Sequence, residues 1–152
     1  MVNVHTQGQE FEVHIRSNSS AAEEWKRAME APVTELPQLS DAQKEMAKRF
    51  EVTEEEYARG ELASIYSRQR LKVKGERLGS IVGEILQNLG RAGRVAAVLY
   101  EGGKLRWIIR IEMSSGVRNI ALAYELVNDV IDSELFQAHQ ELRQTLDAAT
   151  IE

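Results

Sequence analysis

The side chains able to do chemistry in this 152-residue chain are few and scattered. There are three histidines, His5, His14 and His139. None has a second histidine or an acid at metal-site spacing such as HxxxH. His14 alternates outward on a strand pattern and reads as a solvent-facing residue, while His139 falls on an apolar helical stripe with Leu135 and Leu142 and reads as a core or boundary histidine. With no cysteine, the sequence has no disulfide framework, zinc-thiolate site or thiol nucleophile. Asp129 and Asp132 share a helix face at i, i+3, with no third ligand nearby. Glu54, Glu55 and Glu56 point around three sides of a helix start, where they suit the helix dipole. GxSxG, P-loop and GxGxxG patterns are absent. The expectation is no catalytic residue, no cofactor and no metal ligand.

Cations are the more promising signal. The run SRQRLKVKGER holds Arg68, Arg70, Lys72, Lys74 and Arg77 against the single acid Glu76. The net charge of −5 hides a strong pattern. Residues 1–67 carry a net −6, residues 68–118 a net +7 and residues 119–152 a net −6. A basic middle between acidic ends has two readings. Either the segments neutralise one another in the fold, or residues 68–118 present a patch to a polyanion or an acidic partner. Tyr66 is the only aromatic beside the run, which favours phosphate or carboxylate contacts over base stacking.

The stretch QKEMAKRFEVTEEEYARGE resembles a helix-turn-helix. Ala47, Val52 and Tyr57 stand where such units place packing residues. It departs from that pattern at Glu51, where a turn glycine is usual. It departs again at Glu54, Glu55 and Glu56, which would face DNA phosphates and repel them. A helical corner is the reading that remains.

These residues must be positioned by a small sheet and several helices. Two apolar runs flank Gly102-Gly103, a hairpin signal. A two-residue turn there pairs Glu101 with Lys104, Tyr100 with Leu105, Val98 with Trp107, Ala96 with Ile109 and Arg94 with Ile111. A second turn at Ser115-Gly116 sets Ile120 opposite Ile111, Leu122 opposite Ile109 and Tyr124 opposite Trp107. The period of two then gives a core face of Val98, Tyr100, Leu105, Trp107, Ile109, Ile111, Ile120, Leu122 and Tyr124. The other face is mixed and carries Val95, Ala97, Leu99, Arg106, Ile108, Arg110, Ala121 and Ala123. Phe11, Val13 and Ile15 alternate with polar residues as a further strand, and Val2 and Val4 suggest a hairpin partner turned at Gly8.

Helices are marked by capping boxes at Ser20–Glu23, Ser40–Gln43 and Thr53–Glu56. The helix from Thr53 runs on through Leu62, Tyr66 and Val73, with a break or bend at Gly75. A stripe of Leu78, Ile81, Val82, Ile85 and Leu89 follows. Gly79 and Gly83 border that stripe and imply close approach of another backbone, in the sheet or in a second copy. Gly90 suits a C-terminal cap. Ser133 suits the cap of a last helix with Leu135, Phe136, Ala138, Leu142 and Leu146 inward.

The fold expected is therefore α+β: a small antiparallel sheet, with the meander 94–124 and an N-terminal strand near 10–16, packed against several helices. One domain, 1–152, fits the length. No apolar run approaches the length of a membrane span and no signal-peptide pattern opens the sequence, so a cytoplasmic placement and no membrane partner are expected. The functional expectation is a non-catalytic interaction protein, an adaptor or accessory subunit of a larger assembly, pairing with a protein or with itself. Its partner-binding candidates are Arg68, Arg70, Lys72, Lys74, Arg77, Arg106, Ile108 and Arg110. A nucleic-acid-binding accessory factor using 68–118 is the alternative. A small enzyme with a site assembled from scattered residues is the third.

Overall fold

The fold is α+β, in a computed structural model that describes residues 2–6, 9–16 and 22–152, with side chains at 11–16 and 22–152. Five strands form one sheet in the order β1-β2-β3-β4-β5: β1 Val2–Thr6, β2 Gln9–Arg16, β3 Arg94–Glu101, β4 Arg106–Met113 and β5 Gly116–Ala123. The helices are α1 Ala22–Glu30, α2 Asp41–Arg49, α3 Glu54–Asn88, α4 Tyr124–Ile131 and α5 Phe136–Ala149. The chain resolves into two compact units, Met1–Ser17 with Leu71–Glu152, and Asn18–Arg70.

The meander and the N-terminal hairpin form as the alternation predicts, and β1 is antiparallel to β2. The sheet is mixed rather than wholly antiparallel, because β2 runs parallel to β3. A long helical crossover separates those two strands in sequence and returns the chain to the same end.

The hairpin registers slip by two residues from those expected. Tyr100 pairs with Trp107, Val98 with Ile109 and Glu101 with Arg106. The reason is the turn. Gly102–Lys104 forms a 3-10 turn, and the left-handed residue is Leu105 at φ 48°, not either glycine. Leu105 therefore leaves the core and lies 62% exposed. Likewise Ser114-Ser115 makes the second turn, Leu122 pairs with Trp107, and Tyr124 opens α4 instead of ending the strand. A slip of two preserves the faces. A bulge between Val95 and Ala97 does not, and it turns Val95 into the core.

In the first unit, residues 71–88 of α3 and helices α4 and α5 close the core over Phe11, Val13, Val98, Trp107, Ile109 and Ile111. Gly75 is no break, since α3 runs unbroken through it. A Cβ there would meet Val13 at 2.6 Å and Trp107 at 3.1 Å, so glycine lets the helix settle on the sheet. Gly90, at φ 71°, ends α3 with the two hydrogen bonds of a Schellman motif, Arg91 N–H to Leu86 O and Gly90 N–H to Gln87 O.

In the second unit, Ala28, Ala31, Leu62 and Ala63 form a small core with Leu36 and Tyr66 beside it. The Arg59 guanidinium donates to the carbonyls of Ala28, Met29 and Ala31, at and just past the end of α1, where carbonyls lack helical partners. The Ser40–Gln43 capping box is complete, and Thr53 caps α3 through the Glu56 N–H. Ser20 lies outside the described residues. Glu51 adopts φ 56°, and Val52 N–H reaches Ala47 O, so the helical corner closes with glutamate where glycine is usual. Trp25 is half exposed and Val73 is 57% exposed. The buried face of α1 is Glu24 and Ala28.

Candidate functional site

One strand pairing that the sequence does not reveal, β2 parallel to β3, completes the second sheet face. In register across β2, β3, β4 and β5, one row reads His14, Leu99, Ile108 and Ala121. Its neighbour on one side reads Glu12, Ala97, Arg110 and Asn119. On the other side stand Arg16, Glu101, Arg106 and Ala123. Phe11, Val13, Trp107 and Ile109 point to the helices, so these polar and small residues point away from them. A hollow of about 240 Å³ lies on this face, lined by His14, Arg16, Ala97, Leu99, Ile108, Arg110 and Asn119. Ala97 leaves its floor low, and Leu99 and Ile108 are half-buried within it.

The charges around the hollow are unequal. Arg106 Nε donates to Glu101 at 2.7 Å. That bond holds the Glu101 carboxyl below the usual carboxylate range, with the charges of Arg106, Lys104 and Arg16 adding to the effect. Among the described residues, Arg110 donates only to the neutral Asn119 amide, at 3.3 Å. It stands exposed with no carboxylate partner among the described residues. Arg16 is exposed too, opposite Glu101. His14 Nε2 and Glu12 Oε2 lie 3.2 Å apart. The arrangement is an apolar trough with a cation at each end.

Of the sequence candidates, Arg106, Ile108 and Arg110 meet on this surface. Lys72, Lys74 and Arg77 do not, because they lie on the helix that packs against the opposite, Trp107 side. Lys74 is buried, donating to Asn128 Oδ1 at 2.6 Å and Asp132 Oδ2 at 2.7 Å, with the Tyr124 ring 5.6 Å away. Asp132 thereby belongs to an ion pair. Arg68 and Arg70 belong to the second unit. There Arg68 is exposed, and Arg70 pairs with buried Glu24.

Much of the basic middle is thus neutralised internally. Lys74–Asp132 and Arg91–Asp147 tie it to the acidic third of the sequence, and Arg70–Glu24 ties it to the acidic start. Arg94–Glu112 and Arg106–Glu101 close charges within it. The residues that sequence reasoning missed are His14 and Arg16. Alternation set them on one face, but nothing in the sequence told which strand β2 would join. The chain matches no family model, no curated protein and no solved structure.

Proposed function

We propose that this chain is a non-catalytic interaction protein, an adaptor or accessory subunit acting in the cytoplasm, and that it docks an acidic protein segment on the second face of its sheet. One observation carries the reading: the 240 Å³ hollow, where Leu99 and Ile108 form an apolar floor between the exposed cations Arg16 and Arg110. Arginine beside apolar residues is the composition of protein interfaces, which are depleted in lysine. An extended segment alternating apolar residues with glutamates would seat the former on Leu99 and Ile108 and bring the latter to the arginines. Charge-assisted pairing to an arginine fork favours carboxylate over a neutral group.

The test is fluorescence anisotropy with a labelled peptide that alternates valine and glutamate, beside its valine–lysine counterpart. The acidic peptide binds and the basic one does not. Arg16→Gln with Arg110→Glu, both exposed positions, removes binding while the protein stays folded, as its circular dichroism spectrum shows. A labelled DNA duplex serves as a third arm, because phosphate binding falls steeply with salt, by a slope of about 0.9 per contact. Binding of DNA in preference to the acidic peptide, or peptide binding indifferent to the double variant, overturns the reading.

A further inference from the structure

The start of α5 breaks the pattern that the rest of the chain keeps. Helical spacing directs Leu135 and Phe136 inward behind a Ser133 cap. Instead α4 ends at Asp132, Glu134 takes the left-handed conformation at φ 49°, and Leu135 N–H bonds Asp129 O at 2.9 Å. Helix α5 then opens at Phe136 with Leu135 in the cap position and no side-chain cap. Phe136 is left 75% exposed and Leu135 50% exposed. The backbone adopts a conformation unfavourable to a non-glycine residue, and the result is apolar surface in water.

That surface is continuous with α3. A hollow of about 340 Å³ is lined by Ile81, Val130, Leu135 and Phe136 and edged by Arg77, Glu134 and His139. Val73, one turn before Arg77 on α3, is exposed as well. A single exposed apolar residue is unremarkable, but a grouped apolar patch rimmed by polar side chains marks an interaction site. It holds an aromatic, three aliphatics and an arginine, and no lysine.

The rim charges identify the occupant. They are one fixed cation, Arg77, and one fixed anion, Glu134, and neither has a side-chain partner among the described residues. A wholly acidic partner would repel Glu134, and a wholly basic one would repel Arg77. A surface that meets itself across a two-fold axis running between Arg77 and Glu134 sets each cation against the other copy's anion, twice per interface. We propose that Ile81, Leu135 and Phe136, bounded by Arg77 and Glu134, form the face on which two copies of this chain pair. This surface lies on the helical side and is separate from the sheet face proposed for the acidic segment.

Analytical ultracentrifugation over a wide concentration range tests it. The wild type is in monomer–dimer equilibrium, and Phe136→Asp stays monomeric throughout with an unchanged melting midpoint, its position being exposed. Arg77→Glu and Glu134→Arg each weaken the dimer about tenfold or more, as close charge reversals do. The two together restore it to near the wild-type constant, which a merely sticky patch would not do. A wild type that is monomeric at the highest concentration overturns the proposal. So does a dimer that survives Phe136→Asp, or a double reversal as weak as either single one.

Discussion

Gly79 lies directly beneath the ring of Phe11, so close that a Cβ on the glycine would fall within contact range of three ring carbons at once. The apolar stripe of α3 can therefore rest on β2 only with hydrogen at this position. Gly79→Ala gains helix propensity of about 1 kcal/mol, yet forces the helix or the buried Phe11 to shift. Overpacking of that kind costs about 1–3 kcal/mol. Chemical denaturation should show a net loss for Gly79→Ala. Gly60→Ala, whose Cβ would lie 3.9 Å from Trp25, should be neutral or stabilising. A stabilised Gly79→Ala would contradict the close packing.

Lys74 and Asp132 should respond unequally to mutation. The lysine is buried, whereas the Asp132 side chain is half in water. Asp132→Ala strips a buried ammonium of its counter-charge, and an unsatisfied buried donor costs about 1–3 kcal/mol. Lys74→Met keeps the apolar stem and removes the charge, so it should cost less. Equal losses in urea titrations would argue that the pair is not the source of the effect.

Glu101 should make stability depend on pH. Its carboxyl is held low by the Arg106 hydrogen bond, so the folded state binds its proton more weakly than the unfolded chain. The contribution is present above the ordinary carboxylate range and is lost as pH falls through the depressed value. Comparing wild type with Glu101→Gln across acid pH isolates it. The gap between the two should close in acid and be widest near neutrality. A gap independent of pH would rule out this ion pair as its source.

Leu105 sits at φ 48° and is largely exposed. A left-handed conformation costs a non-glycine residue about 1–2 kcal/mol, and little buried area is at stake. Leu105→Gly should raise stability by up to about 1 kcal/mol, with the unfolded chain's added freedom taking back part of the gain. Thermal melts decide it, and a clear loss would show that the leucine contributes packing beyond its exposure.

Periodicity and local motifs made the meander, the Ser40–Gln43 capping box and the buried Trp107, Ile109 and Ile111 legible, because each depends on residues near in sequence. It failed where one residue's backbone state decides the outcome. Leu105, not Gly102 or Gly103, takes positive φ, and both hairpins slip by two. The bulge at Ala96 reverses Val95. At Glu134 the same effect leaves Leu135 and Phe136 outside a core that their spacing had assigned them. Glu51 was visible as the place of a turn glycine and does hold positive φ. The site was half visible. Arg106, Ile108 and Arg110 share a strand, but His14 and Arg16 reach them only through a parallel pairing spanning the helical crossover, which no local pattern encodes.

The central claim is that the second sheet face docks an acidic segment. Amide chemical shifts of the isotope-labelled protein, followed during titration with the valine–glutamate peptide, test it most directly. The account predicts saturable shifts at Leu99, Ile108, Arg110 and Asn119, with Trp107 Nε1, buried on the other side, unmoved. Shifts confined to the helical side, or none at peptide excess, would contradict it.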